Sequence, residues 1–242
     1  MARIFNSIRQ RLLKENRLTR YLIYAIGEIV LVVIGILIAL QLNNWNSERK
    51  ERALEVKTLS ELLTSFQGDL KDLIYNLDFH NKGLVSSEQL LKAFDQELPY
   101  NDSLDRHFGQ FYNVSVLVHS TGAFETLKAR GMDIISNDSL RRQVVRMYDL
   151  IYNEILENQR SFDFVDLQEN KHFMFEHMTD WKLFQTAKPK DYDMISKDPV
   201  FRNRLEYTVQ VRGMMCAKYR RAVDECEAVT HALEKEIERL SE

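Results

Sequence analysis

The sequence predicts an all-α protein, with one transmembrane helix near the N-terminus and then an antiparallel helical bundle of long, coiled-coil-like helices. Three observations predict this class. Residues 21–42 are apolar, apolar residues recur at alternating spacings of three and four, and the 242 residues include only eight Gly and three Pro. Sheet-rich folds need many turns, so that scarcity favours long helices. We expect three segments, at residues 1–20, 21–42 and 43–242.

The first segment, residues 1–20, is basic and amphipathic. It contains one acid, Glu15, and six bases: Arg3, Arg9, Arg11, Lys14, Arg17 and Arg20. Its apolar residues share one side of a helix: Ile4, Phe5, Ile8, Leu12 and Leu13. Such a segment can lie on an anionic cytoplasmic leaflet, or it can be a solvated tail that only sets topology. The net charge of −3 leaves the remainder acidic, which argues against nucleic acid as a partner.

The transmembrane segment, residues 21–42, contains 14 Leu, Ile or Val. At about −0.3 to −0.6 kcal/mol each, they favour insertion by roughly 4–8 kcal/mol, whereas Glu28 opposes it by at most about 3 kcal/mol. Tyr21 and Tyr24 at one end and Trp45 at the other have the placement of residues at the membrane interface. The run is longer than the apolar region of a signal peptide and lacks a small-residue cleavage pattern, so we interpret it as a signal anchor.

The distribution of basic residues predicts the orientation of the span. Six Lys or Arg precede it, and four follow it within a similar distance: Arg49, Lys50, Arg52 and Lys57. The larger number marks the cytoplasmic side, so we expect the N-terminus in the cytoplasm and the C-terminal domain outside it.

Glu28 is an acidic residue within this apolar span. It shares a helical face with Gly35 and Leu42, and Ala39 lies beside them, so that Gly35 and Ala39 form a small-xxx-small pair. Three interpretations remain open: a hydrogen bond within a contact between transmembrane helices, a side chain that reaches back to the cytoplasmic surface, and an ion or proton path in an oligomer.

The residues around the span resemble the N-terminal signature of a family of bacterial membrane proteins of unknown function. The resemblance rests on YAIGEI at 24–29, VVIGILIALQ at 32–41 and NNWN at 43–46, with IRQRLL at 8–13 upstream. A second block, FETLKA at 124–129, Gly131 and IISNDSLR at 134–141, is similar to a later part of that family. The resemblance implies a single-pass bacterial protein with a helical domain, and it implies no activity. Together with the orientation above, this predicts the bacterial inner (cytoplasmic) membrane, with the helical domain in the periplasm.

The domain after the span is predicted to contain three long helices. An apolar series with heptad spacing runs from Val56 to Phe94, and a second one lies on a helix at 199–240 that Arg212 and Glu236 interrupt. Between them we expect helices at 103–113 and 123–130, with Gly131 as a C-cap, and a long helix from Asn137-Asp138-Ser139 to about Met178. Residues 114–118 fit a short strand or a buried connection, and residues 179–198 are expected to form a loop.

No motif in the sequence names a reaction. Cys216 and Cys226 lie ten residues apart on one helix, roughly 15 Å, too far for a mutual disulfide. We expect small buried or half-buried thiols, with a disulfide between Cys226 and its copy in a second chain as the alternative if the domain is dimeric and outside the cytoplasm. Glu169 and His172 form one Glu-x-x-His pair, whereas a di-iron bundle needs two. We therefore predict no catalytic residue, cofactor or metal site. Six aromatic residues are expected in the core, with a ligand surface as the alternative: Phe162, Phe164, Phe173, Phe175, Trp181 and Phe184.

These observations favour a non-enzymatic membrane-anchored scaffold or interaction protein that binds the bilayer and associates with itself or with another membrane protein. A helical bundle that binds a small ligand and signals through a partner protein is the alternative. An ion-conducting oligomer built around Glu28 is a third hypothesis.

Overall fold

The computed structural model describes residues 18–242, without the side chains of residues 18–21, 23, 24 and 162–170. This part of the chain is mostly helical with one two-stranded sheet, which confirms the predicted fold class. The chain divides into two compact units between Leu54 and Glu55. In order, the elements are α1 (Leu18–Asp95), α2 (Leu104–Gln110), α3 (Gly122–Arg130), a 3-10 turn (Met132–Ile134), α4 (Asp138–Arg146), a π-helical turn (Met147–Tyr152), α5 (Asn153–His177), β1 (Met178–Lys182), β2 (Thr186–Pro189), α6 (Tyr192–Lys197) and α7 (Pro199–Ser241).

The N-terminal part of α1 has no protein cover among the described residues. Every residue from 26 to 54 is exposed. It contains an 18-residue stretch with a mean hydropathy of 2.6, none of which is buried. This helix is therefore long and apolar enough to cross a membrane, as the sequence predicts.

The second unit, residues 55–242, is built from three long helical segments. They are the part of α1 after residue 54, the middle helix (α4, the π-helical turn and α5, residues 138–177) and α7. Contacts of α7 with α1 pair Phe66 with Cys226 and His80 with Arg212, so the two helices run antiparallel. The middle helix is antiparallel to α7 as well, and it runs parallel to α1 because residues 96–137 bring the chain back.

The buried side of α1 keeps strict heptad spacing. Its positions are 55, 59, 62, 66, 69, 73, 76, 80, 83, 87, 90 and 94, and the neighbouring Thr58, Ser86 and Ala93 are buried as well. The predicted series shares six of these, from Leu59 to Phe94, but its alternate members, such as Leu63 and Leu70, are only half-buried. The residues that replace them in the interior include Glu55, Asp69 and Asn76, at 6%, 2% and 0% exposure. Polar side chains therefore occupy core positions of α1.

The buried side of α7 matches the prediction along the whole helix. Leu205, Thr208, Met215 and Tyr219 are buried as expected. Arg212 and Glu236, which interrupt the apolar series, keep its spacing and are buried too, each at 6% exposure. Both charged residues therefore face the core.

The segment after the middle helix differs from the expected loop. Residues 179–198 contain most of the antiparallel hairpin β1–β2 and all of α6. The hairpin packs on a second core, where Met178, Ala187 and Ile195 meet aromatic residues of other elements: Phe94, Phe108, Phe111, Phe173 and Phe201. The spacing of these apolar residues is too irregular to predict a strand or a helix from the sequence. Their contacts with the second core order this segment instead. At Gly109 on α2 a Cβ would lie 2.5 Å from the backbone of Thr186, so only glycine fits.

Two predicted helix ends are confirmed. Asn137 caps α4, with its Oδ1 accepting from the N–H groups of Ser139 and Leu140. Gly131 is the C-cap of α3 with φ of 119°, a conformation that favours glycine. The helix predicted at 103–113 is shorter than expected, Leu104–Gln110.

Candidate functional site

Residues 111–121, here called the connecting segment, join α2 to α3 without forming a helix or a strand. Of the two alternatives for residues 114–118, the strand is wrong, and the connection is only partly buried because Val116 and Val118 are 57% and 70% exposed. Side chains of α1 bind its backbone: Asp69 Oδ1 accepts from the Ser120 N–H at 2.7 Å, and Asp72 Oδ2 accepts from the Val118 N–H at 2.9 Å. Backbone groups of a connection still need partners, and carboxylates supply them here.

Gln159 of α5 binds the same segment on its other side. Its Oε1 accepts from the Leu117 N–H at 3.3 Å, and its Nε2 donates to the Ser115 carbonyl at 3.0 Å. Nε2 also donates to the Tyr219 hydroxyl of α7 at 2.7 Å. One buried amide therefore ties the segment to two helices.

Arg212 of α7 binds the start of the connecting segment. Its Nη2 donates to the carbonyls of Phe111, at 3.2 Å, and of Asn113. Its Nη1 lies 3.1 Å from His80 Nδ1, and because a guanidinium can only donate, Nδ1 accepts and the histidine is neutral. Burial, and then the charge of Arg212, lower the pKa of His80 to about 3, and its ring stacks on Tyr219. Charge on this side of the core therefore resides on Arg212.

Two buried carboxylates hold the chain where it leads into α4. Glu55 Oε1 accepts from the Ser136 N–H at 2.7 Å and from its hydroxyl at 2.8 Å. Glu236 Oε2 accepts from Asn137 Nδ2 at 2.9 Å, and the hydrogen bond from Arg239 holds the pKa of Glu236 below its usual value. Glu55 is the first buried residue of α1, and Glu236 lies near the end of the buried side of α7. Together they fix the N-terminus of α4.

The centre of the network contains four groups of chemical interest: Asp69, Tyr152, Cys226 and His119. The Tyr152 hydroxyl donates to Asp69 Oδ2 at 3.1 Å and lies 3.9 Å from Cys226 Sγ, while the His119 ring is 4.8 Å from the Tyr152 ring. Burial raises the pKa of Asp69, against the hydrogen bonds from Ser120 and Tyr152 that lower it. Burial also raises the pKa of Cys226 to about 11 and that of Tyr152 further above its usual value. Thiol and phenol therefore stay protonated at neutral pH and act as donors.

The π-helical turn places two tyrosines beside the connecting segment. Tyr148 stacks on Phe124 of α3 at 4.1 Å, and its hydroxyl donates to the Ser120 carbonyl at 3.0 Å. Ser120 is therefore bound through its N–H by Asp69 and through its carbonyl by Tyr148. π-Helical turns are often found at functional positions. Here the turn positions Tyr148 to bind the connecting segment.

The predicted contact residues of the span lie on the exposed part of α1. Glu28, Gly35, Ala39 and Trp45 are all exposed, and a Cβ added at Gly35 would meet nothing within 4 Å. The side chains of Tyr21, Tyr24 and Arg20 lie outside the described residues. So do the other predicted topology residues, Arg3, Arg9, Arg11, Lys14 and Arg17.

The two cysteines are free and buried, as predicted. Cys226 is 0% exposed, and its thiol donates to the Phe66 carbonyl at 3.5 Å. The predicted aromatic core is only partly confirmed. Phe173 is buried, whereas Phe175 and Phe184 are 64% and 49% exposed, and the side chains of Phe162 and Phe164 lie outside the described residues.

The buried polar residues that hold the connecting segment and the N-terminus of α4 were not predicted from the sequence. A signal was present for Arg212 and Glu236, because a charged residue that keeps heptad register between apolar neighbours must find a partner in the core. Asp69 and Glu55 gave no such signal, since the apolar Leu70 and Val56 beside them define an equally good stripe.

A family model described as a family of unknown function (DUF6090) matches residues 28–196, which include most of the exposed part of α1, the connecting segment and the hairpin. No curated protein and no solved structure matches the chain.

Proposed function

The chain belongs to the DUF6090 family, a family of unknown function, and we propose that it is a non-enzymatic, membrane-anchored helical interaction protein. In this proposal residues 21–42 cross the inner membrane of a bacterium once, with the N-terminus in the cytoplasm and residues 43–242 in the periplasm. The observation that carries the proposal is the exposure of residues 26–54, among them apolar side chains from Ile26 to Leu42 that are 46–72% exposed.

The free energy of hydration makes water a poor environment for this helix. Thirteen Leu, Ile and Val side chains between Leu22 and Leu42 are each about half exposed or more. Exposing them to water costs roughly 10–20 kcal/mol, comparable to the whole stability of a domain. A bilayer removes that cost, and the length of the segment matches a hydrocarbon core of about 30 Å.

The contacts of the bundle support a binding role. The hydrogen bonds of Asp69, Gln159 and Arg212 all hold the connecting segment. The thiol and phenol in the same network are donors with raised pKa values, which suits them to structure. A rigid bundle on a membrane anchor is suited to hold a partner at the membrane surface.

Self-association of the span is proposed to use the face of Glu28, Gly35 and Ala39. Small residues let helix backbones approach closely, and a polar side chain such as that of Glu28 can form a hydrogen bond across the contact between the helices. Among the described residues, a Cβ at Gly35 would meet no other part of the chain within 4 Å, which leaves room for a second helix on this face.

Disulfide trapping in native membranes tests this face. Leu42 lies on it, whereas Leu40 lies about 200° around the helix and serves as the matched control. We expect Leu42→Cys to form covalent dimers on mild oxidation and Leu40→Cys to form few. Cys216 and Cys226 are buried, at 4% and 0% exposure, so they give little background. Equal trapping at both positions, or none at either, would contradict self-association through this face.

A further inference from the structure

A pocket of about 190 Å³ lies on the surface of the second unit, between α1, α2 and the β1–β2 turn. A pocket of this volume has room for many more atoms than a single water, and so for a ligand the size of an amino acid. None of the side chains that bind the backbone of the connecting segment lines the pocket. Asn113, whose carbonyl accepts from Arg212, belongs both to the pocket and to that network.

Three aromatic rings form one side of the pocket: Tyr75, Phe79 and Phe184. Phe79 lies 6.3 Å from Tyr75 and meets Phe184 edge-on at 5.9 Å, measured between ring centroids. Tyr75 and Phe184 remain 61% and 49% exposed, so their apolar surface is available. Phe184 has φ of 61°, an uncommon conformation for an aromatic residue that places it at this turn.

A pair of opposite charges stands beside the rings. Lys82 Nζ and Asp78 Oδ2 are 2.5 Å apart on successive turns of α1, with side chains 52% and 55% exposed. Such an exposed i,i+4 pair contributes little to stability, so a ligand can separate the two groups at small cost. The separated pair presents a carboxylate and an ammonium to the pocket.

Two amides complete the polar lining. Gln110 Oε1 accepts from the Ser86 hydroxyl at 3.3 Å, which leaves its Nε2 as a donor. Asn113 Nδ2 donates to the Gly109 carbonyl at 2.7 Å, which leaves its Oδ1 as an acceptor. Beyond Gly83 the Arg212 guanidinium lies over the Phe79 ring, 5.8 Å from its centroid.

We propose that this pocket binds a small zwitterion with an apolar side chain, that is, a free apolar α-amino acid. Asp78, with the faces of the aromatic rings, receives the ammonium group, and Lys82 with Gln110 Nε2 receives the carboxylate. A ligand with only a positive charge meets Lys82 as a like charge, and a ligand with only a negative charge meets Asp78. The site does not depend on the proposed membrane anchor, so either proposal can fail while the other stands.

Calorimetric titration of the full-length protein in detergent micelles tests the site with three probes of one shape. L-Leucine carries both charges, leucinamide only the positive one and 4-methylpentanoate only the negative one. We expect saturable binding of leucine that is at least about tenfold tighter than binding of either analogue. Absence of saturable leucine binding, or equal binding of the three probes, would overturn the proposal.

Charge variants separate ligand recognition from a merely structural role. Asp78→Asn is expected to lose leucine binding and to gain affinity for 4-methylpentanoate, whereas Lys82→Gln is expected to lose leucine binding and gain affinity for leucinamide. Glu61→Gln removes a matched i,i+4 ion pair with Lys57 on the same helix and should leave all three affinities unchanged. Leucine binding that survives both pocket variants would also overturn the proposal.

Discussion

The Tyr152 hydroxyl donates to the Asp69 carboxylate at 3.1 Å in the core of the bundle, while the other oxygen of that carboxylate accepts from the Ser120 N–H at 2.7 Å. One buried acid thus joins the middle helix, the connecting segment and α1. The pairing explains why an acid occupies a core position: the backbone of a connection that crosses the bundle needs acceptors, and α1 supplies them.

Asp69→Ala is expected to lower the free energy of unfolding by about 2 kcal/mol, because a buried donor such as the Tyr152 hydroxyl costs about 1–3 kcal/mol when it is left without an acceptor. Denaturant titration of the full chain in micelles measures this change. Hydrogen exchange at the Ser120 amide should accelerate as well. Asp224→Ala, an exposed acid on α7, is the control and should change stability by less than about 0.5 kcal/mol. An equal loss of stability in the two variants would contradict the proposal that Asp69 holds the connecting segment.

Gly83→Ala and Gly68→Ala are expected to have opposite effects on thermal stability. A Cβ at Gly83 would lie 2.5 Å from Arg212 Nε, so the guanidinium must move from its carbonyl partners, and stability falls. A Cβ at Gly68 meets nothing within 4 Å, so the alanine there adds up to about 1 kcal/mol from helix propensity. Thermal unfolding of both variants beside the wild type measures the difference. A gain in stability at both positions would show that Arg212 does not need the space at Gly83.

The buried His80 predicts an acid-dependent loss of stability. Its pKa is lowered from 6.5 to about 3, so between these values the unfolded chain binds more protons than the folded one. Stability from this group is therefore complete above about pH 6.5 and declines as the pH falls toward 3. Unfolding free energies at several pH values should fall less steeply for His80→Gln than for the wild type. His231→Gln, an exposed histidine on α7, should follow the wild type. Parallel curves for wild type and His80→Gln would refute this assignment.

Periodicity predicted the long helices well because each buries one stripe of apolar residues. The stripe on α7 was predicted position by position, including its interruptions at Arg212 and Glu236. On α1, apolar spacing alone could not choose between Leu70 and the neighbouring Asp69, which is the residue the structure buries. That choice depends on the connecting segment, which is distant in sequence.

The parts that sequence reasoning missed depend on long-range contacts. Val118 and Ser120 are held by side chains 46 and 51 residues away in the chain, and Arg212 reaches Phe111 across 101. The spacing of residues within one helix cannot predict partners that are so distant in the sequence. The hairpin at 178–189 was missed for the same reason, since Met178 and Ala187 are ordered by a core that includes Phe94 and Phe108.

Alkaline carbonate extraction of membranes that contain the full-length chain tests the central claim, that the exposed apolar helix is a membrane anchor. A helix inserted through residues 21–42 resists extraction, whereas a protein bound only at the surface is released when its ionic contacts are lost. We predict that the chain stays in the membrane pellet after extraction. Release of the chain into the supernatant would contradict the anchor and, with it, the proposed function.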